Sequence, residues 1–76
     1  MPIQITETEE LRARREKAQE AIRRYDVVDV NIVCDALRQS PRVVRAAIES
    51  GDLKAIRLGR SVRIPTAQLR DLLGID

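Results

Sequence analysis

The first 25 residues have the pattern of a charged helix with few apolar positions. Glutamates lie near its start, and Arg23 and Arg24 lie at its end, an order that suits the helix dipole. Thr6 with Glu9 matches a capping box, and Thr8 is an alternative N-cap. The narrow apolar stripe predicts a helix over residues 6–24 that lies on another surface rather than one that nucleates a core. This apolar stripe fits a peripheral helix and an oligomerisation arm equally well.

The next segment has the spacing of a short amphipathic helix. Asp29 is a favoured N-cap residue. The apolar positions that follow are spaced i, i+3, i+4 and i+7, namely Val30, Val33, Cys34 and Leu37. Ile32 and Ala36 fall outside this stripe. The spacing therefore predicts a helix after Asp29, with Cys34 as a small core residue.

A third segment has clear signals for both ends of a helix. Ser40 is a favoured N-cap, Pro41 suits the first helical position, and Gly51 suits the residue after the last turn. The inward positions are Val44, Ala47 and Ile48. The outward positions are Arg42, Arg45, Ala46 and Glu49, with Val43 on the border. Two short helices joined by a turn of a few residues form a helix-turn-helix arrangement.

Residues 55–64 predict a β-hairpin with two alternative registers. A two-residue loop, Gly59-Arg60, pairs Ile56 with Arg63 and places an arginine on the apolar face. A three-residue loop pairs Ile56 with Ile64 instead. Because a slip of one residue moves every side chain to the other face, we expect the three-residue loop.

The expected register sets Arg57 directly across from Arg63 on the polar face of the hairpin. Two like charges in that position are unfavourable unless an anion lies beside them, and a DNA phosphate is such an anion. Arg60 at the tip adds a third cation. After the hairpin, Pro65 or Thr66 opens a final short helix that ends at Gly74. Its expected inward residues are Leu69, Leu72 and Leu73.

The formal net charge of +2 is unevenly distributed along the 76 residues. Residues 38–65 carry seven arginine or lysine residues against two acidic ones, whereas residues 25–37 carry three aspartates and no basic residue. A basic excess within one segment is the expected footprint of a nucleic-acid contact.

The composition argues against an enzyme. The chain has no histidine and a single cysteine, Cys34, so nucleophile–imidazole pairs, Cys/His zinc sites and intrachain disulfides are excluded. Asp26, Asp29 and Asp35 offer carboxylates for a divalent ion, but Asp29 is better used as a cap and no nucleophile stands nearby. No cofactor or metal is expected. No apolar run reaches membrane-spanning length, and a cytoplasmic protein is expected.

Five short stretches between residues 28 and 73 share their order and separations with a known family. They are Val28-Asp29-Val30, Ser40-Pro41-Arg42-Val43-Val44-Arg45, Ile48-Glu49-Ser50-Gly51-Asp52-Leu53, Ala55-Ile56-Arg57-Leu58-Gly59-Arg60 and Arg63-Ile64-Pro65. Together they resemble the excisionase-type, MerR-like winged helix-turn-helix family. The expected fold is mainly α with a small β-hairpin wing. Residues 1–25 form an extra N-terminal helix, and residues 26–76 form the winged helix-turn-helix domain.

The resemblance implies binding to double-stranded DNA. A recognition helix over residues 41–50 would enter the major groove, and the 55–64 hairpin would act as a wing on the backbone or minor groove. The expected DNA-contacting residues are Ser40, Arg42, Val43, Arg45, Ala46, Glu49, Lys54, Arg57, Arg60, Ser61 and Arg63.

The implied role is that of a phage excisionase, a recombination directionality factor. Such a protein binds DNA cooperatively, bends it and sets the direction of recombination by an integrase. The expected partners are therefore DNA, an integrase and further copies of the chain. A small transcriptional regulator with the same module is an alternative, and a module that docks an acidic protein is a second one.

Two positions depart from the family pattern. Ile32 stands where an acidic residue is usual, and Arg38 stands where a turn glycine is common, so this turn is expected to carry strain or a variant geometry. Ile32 is expected to belong with the apolar stripe of the N-terminal helix, within one molecule or between neighbours on DNA. The expected self-association residues are Leu11, Ala18, Ile22, Tyr25 and Ile32.

Overall fold

The computed structural model describes residues 8–75, which form helices α1 to α4 and strands β1 to β3. In chain order these are α1 (Glu9–Arg24), β1 (Val27–Val28), α2 (Val30–Leu37), α3 (Pro41–Ser50), β2 (Ile56–Leu58), β3 (Ser61–Pro65) and α4 (Thr66–Leu73). The mainly helical architecture with a small antiparallel sheet confirms the expected winged helix-turn-helix preceded by a helix.

Helix α1 contributes to the core of the protein. Thr8 is its N-cap, and its hydroxyl accepts a hydrogen bond from the Leu11 N–H at 3.1 Å. Thr8 was the alternative expectation, and the capping-box residue Thr6 lies outside the described residues. Ala18 and Ile22 are both buried. The expectation that this helix only lies on a surface is therefore wrong, because its two best-placed apolar residues complete the core beside α2 and α4.

The helix-turn-helix unit, α2 and α3, begins and ends where its local signals predict. Asp29 Oδ1 accepts a hydrogen bond from the Ile32 N–H at 3.0 Å, and Ser40 Oγ accepts one from the Val43 N–H at 3.3 Å. Gly51 follows α3 with φ of 90°, in the left-handed region that suits glycine.

The buried face of α2 is wider than the predicted stripe. Ala36 and Val33 are its fully enclosed residues, whereas Cys34 and Leu37 are half-buried. Ala36 was expected off the inner face. The reason is that α2 packs against α1 on one side and against α3 and β3 on the other, so that more than one stripe is covered.

The turn between α2 and α3 places a non-glycine residue in the left-handed region. Arg38 has φ of 56° and ψ of 44°, and it is the one non-glycine residue with positive φ in the described part of the chain. The Gln39 N–H donates to the Cys34 carbonyl at 3.1 Å, which closes α2 as in a Schellman motif. The turn thus keeps the left-handed cap that a glycine would adopt, so of the two expectations for Arg38 strain applies and a variant geometry does not.

Replacing Arg38 with glycine is expected to stabilise the protein relative to Arg38→Ala by about 0.5–1 kcal/mol. A Cβ in this conformation costs about 1–2 kcal/mol, and the greater freedom of glycine in the unfolded chain offsets part of the gain. Because both variants lack the guanidinium group, their difference isolates the Cβ. Urea unfolding measures it, and an alanine variant as stable as the glycine variant would show that the turn is unstrained.

The three strands form an antiparallel sheet in the order β1-β3-β2. Strand β1 is too short to be visible in the sequence pattern. In the hairpin, Ile56 pairs with Arg63 and Leu58 with Ser61, so the loop is the two-residue Gly59-Arg60 and the expected three-residue register is wrong. Gly59 has φ of 60°, which suits the first central residue of a type II′ turn.

The physical reason for the register lies in what covers the hairpin. Only Ile64 must be buried, and it packs in the core opposite Val28 of β1. Ile56 is 45% exposed and Leu58 is 68% exposed, so no apolar cover constrains β2 to place Ile56 inward. One consequence is that Arg57 and Arg63 lie on opposite faces of the hairpin and not directly across from each other.

Helix α4 is hydrogen-bonded to the C-terminal end of α1. Arg70 donates hydrogen bonds to the carbonyls of Ile22, Arg23 and Tyr25 at 3.0, 3.3 and 3.2 Å. These bonds satisfy carbonyls at the C-terminus of α1 that have no partner within the helix. Leu69 is buried as expected, but Leu72 is 64% exposed, so its expected inward position is wrong.

Candidate nucleic-acid interface

One side of α3 is open to solvent over its whole length. The Ser40 cap and Pro41 fix where the helix begins, and the side chain of Val44 is buried in the core on its opposite face. The exposed residues on the helix are Arg42, Val43, Arg45, Ala46 and Glu49. All the residues expected on the recognition helix therefore share an accessible surface.

A groove separates α3 from the hairpin, and it brings together arginines that are distant in sequence. Its volume is about 480 Å³, and the start of α2 closes one side. Arg45 contributes from α3, and the hairpin contributes Arg57, Arg60 and Arg63. We call the surface formed by these four arginines the basic groove. Arg42 and Lys54, although expected at the same interface, do not line it.

The lining of the basic groove has an excess of positive charge, with four arginines against two carboxylates. Within the described part of the chain, no carboxylate forms an ion pair with any of its four arginines. Arg63 donates a hydrogen bond to the neighbouring Val62 carbonyl at 3.2 Å. Asp29 and Glu49 also line the groove, but Asp29 accepts the capping hydrogen bond of α2. Such a surface attracts an anion that can span several guanidinium groups.

Five residues that line this groove are not among the expected DNA-contacting residues: Asp29, Val30, Asn31, Ile48 and Val62. Asn31, at the second position of α2, lines it between the helix start and the hairpin. The Asp29 cap was the available signal, because it fixes the start of α2 and thus the residues in its first turn.

The residues expected to mediate self-association separate into two groups. Ala18 and Ile22 are enclosed in the chain's own core and present no surface to another copy, which corrects that part of the expectation. Leu11 and Tyr25 are exposed, and Ile32 is half-buried and shares a groove between α1 and α2 with Leu11. Ile32 and the α1 stripe thus meet within one molecule.

Cys34 lines the same groove between α1 and α2. Desolvation by burial, and then the negative charge of Asp35, raise the pKa of its thiol. The protonated form is therefore favoured at neutral pH, and this form is a poor nucleophile.

Two further observations concern metal binding and membrane insertion. Among residues 8–75, no three His, Cys, Asp or Glu side chains lie close enough together to hold a metal ion. None of the described helices combines the length and the apolar character that a bilayer crossing requires.

Two helices joined by a tight turn, with a β-hairpin beside the second helix, define a winged helix-turn-helix domain. Residues 27–74 match the family model described as "Helix-turn-helix domain", which covers more than half of the chain. The chain belongs to this family, which includes excisionase-like DNA-binding modules and is typically non-enzymatic. No curated protein and no solved structure gave a match.

Proposed function

We propose that the protein binds double-stranded DNA sequence-specifically, with α3 in the major groove and the β2–β3 hairpin along the adjacent backbone. The observation that carries this proposal is the basic groove. It holds four arginines, beside the open face of a recognition helix, that form no ion pair with a carboxylate of residues 8–75. An α-helix fits the major groove of B-DNA, and guanidinium groups bind phosphates strongly.

The two elements have different tasks in this proposal. On α3, Arg42 and Arg45 reach base edges, where arginine bonds guanine O6 and N7 in a bidentate manner. Val43, Ala46 and Glu49 complete the reading surface of the helix. The hairpin residues Lys54, Arg57, Arg60, Ser61 and Arg63 contact phosphates, which fix orientation but carry no base identity. Ser40 lies at the helix start, where free N–H groups favour a phosphate.

Arg42→Ala is expected to relax sequence preference, whereas Arg60→Ala is expected to weaken binding to all DNAs alike. A bidentate contact to guanine contributes about 1–3 kcal/mol of discrimination, and a phosphate contact contributes none. The preferred site is first selected from a random duplex library. Dissociation constants are then measured for that site and for single-base variants, with Arg24→Ala on α1 as the control.

An equal loss for Arg42→Ala and Arg60→Ala on every duplex would contradict this division of tasks. It would mean that α3 supplies charge and not base recognition. A loss in the Arg24→Ala control would show that the titration reports overall charge.

At a finer level, we propose that the protein is a phage-type excisionase. The support is the resemblance over residues 28–73 together with membership of a family that includes excisionase-like modules. A single small module needs several copies side by side for useful affinity, which requires cooperative binding.

The excisionase role is tested with the selected site in two assays. Circular permutation of the site is expected to show a bend, and paired sites are expected to fill cooperatively. Addition of the protein to an integrase reaction on the same DNA is expected to favour excision over integration. Straight DNA, independent filling and an unchanged recombination direction would instead favour a transcriptional regulator.

A further inference from the structure

The hairpin that carries three of the four groove arginines has little apolar anchorage. All three residues of β2 are exposed. Buried side chains occur only at the base of the hairpin, where Leu53 precedes β2 and Ile64 lies near the end of β3. The position of the wing relative to α3 therefore depends on how its base is held.

Proline interrupts the hydrogen-bond ladder at that base. Across a two-residue loop, the pair Leu58–Ser61 exchanges hydrogen bonds, and every second pair below it does so as well. The observed pairing ends at Ile56 and Arg63, and one further hydrogen-bonded pair in this register would set Lys54 opposite Pro65. Pro65 has no N–H, so the ladder has no backbone donor for the Lys54 carbonyl.

The side chain of Gln68 occupies the place of the missing peptide group. Its Nε2 donates to the Lys54 carbonyl at 2.8 Å, and its Oε1 accepts from the Lys54 N–H at 2.9 Å. The same Nε2 lies 3.3 Å from the Pro65 carbonyl. One amide thus presents to Lys54 the donor and the acceptor that a neighbouring strand would present.

Gln68 lies on a helix that is anchored in the core. It is the third residue of α4, and the next residue, Leu69, is buried in the core. Thr66 ties the start of the same helix to the segment before β1, with its hydroxyl donating to the Tyr25 and Asp26 carbonyls at 2.6 and 3.0 Å. The amide therefore connects both ends of the hairpin, Lys54 before β2 and Pro65 at the end of β3, to α4.

We propose that Gln68 is a positioning residue for DNA binding. It replaces the backbone donor that Pro65 lacks, clamps the base of the wing to α4, and so holds the wing arginines beside α3. The effect on DNA rests on the proposed function. The clamp itself is a property of the free protein.

The clamp is tested by amide hydrogen exchange of the free protein, measured by NMR. Gln68→Ala is expected to speed exchange of the Lys54 N–H by about tenfold or more, since its acceptor is removed while the helices stay folded. Gln19→Ala, the same change on α1, is the matched control and is expected to leave Lys54 unchanged. Unchanged exchange in Gln68→Ala would overturn the clamp.

Its consequence for DNA is tested by titration well below the melting temperature. If the released wing occupies its bound position about one tenth of the time, affinity falls about tenfold for every duplex. The salt slope stays the same because all arginines remain, whereas Arg60→Ala lowers it by about one. Tight binding by Gln68→Ala despite fast Lys54 exchange would overturn the positioning role.

Pro65→Ala provides a rescue experiment. In the Gln68→Ala background it restores a backbone N–H opposite the Lys54 carbonyl, and it is expected to recover Lys54 protection and most of the lost affinity. Failure to recover protection would contradict the claim that the Gln68 amide replaces the missing backbone donor of Pro65. A wild-type protein that binds no DNA would overturn the proposed function, while the exchange measurements would still decide the clamp.

Discussion

Replacing Ile22 with alanine is expected to lower the free energy of unfolding by about 2–5 kcal/mol. Ile22 lies on a mostly charged helix, yet its side chain is fully buried in the shared core. The loss combines the transfer free energy of the deleted carbons with the cavity that they leave. A domain of this size has a total stability of about 4–11 kcal/mol, so the variant is expected to be partly unfolded at moderate temperature.

Leu11→Ala is the matched control for Ile22→Ala. Leu11 belongs to the same helix but is 43% exposed, so its loss is expected to be below about 1 kcal/mol. Urea unfolding followed by circular dichroism compares the two variants. Equally small losses would mean that α1 is a peripheral arm and that the domain folds without it.

Removing the charge of the whole basic groove is expected to reduce DNA affinity by about 10³-fold or more at 0.1 M salt. Each phosphate contact releases about 0.9 counterion, so the three lost wing contacts reduce affinity by about 500-fold. The lost base contact of Arg45, at about 1–3 kcal/mol, brings the product to this magnitude. Arginine-to-glutamine changes keep much of the side-chain bulk and remove the charge. The positions changed together are Arg45, Arg57, Arg60 and Arg63.

A control with the same net charge separates the groove from overall charge. It carries four arginine-to-glutamine changes on the exposed part of α1, at Arg12, Arg14, Arg23 and Arg24. Both variants lose four positive charges, which takes the formal net charge from +2 to −2. The control is expected to bind DNA within about tenfold of wild type, because it keeps the contacting arginines. Equal losses of DNA affinity in the two variants would mean that overall charge, and not the basic groove, determines binding.

The local features of the fold were predictable from the sequence because they depend on neighbouring residues. The caps at Asp29 and Ser40 and the end of α3 at Gly51 each rest on hydrogen bonds or backbone angles within a few positions. An arginine where a turn glycine is usual also indicated strain or a variant geometry, and Arg38 lies in the left-handed region. These signals were sufficient to order the helices and to place the hairpin.

The remaining features depend on residues that are distant in the chain. The hairpin register was mispredicted because the sequence does not reveal that Ile56 remains uncovered. The roles of Gln68 and Arg70 arise from hydrogen bonds across 14 to 48 positions. Likewise, the burial of Ile22 depends on which surfaces reach α1.

The sequence supplied candidate residues for the interface but not their arrangement in space. The basic excess over residues 38–65 includes all four arginines of the basic groove. The convergence of Arg45 with the three wing arginines on one groove required the tertiary structure. In the observed register Arg57 and Arg63 do not face each other, so their pairing gives no support for an anionic ligand. That support comes instead from the groove that both residues line.

The most direct test of the central claim is fluorescence anisotropy of a labelled mixed-sequence duplex, titrated with the wild-type protein over a salt series. The account predicts binding at low salt, with a slope of log affinity against log salt of about −4 to −5 for roughly five phosphate contacts. No binding at low salt would contradict it. The basic groove would then be a docking face for an acidic protein partner.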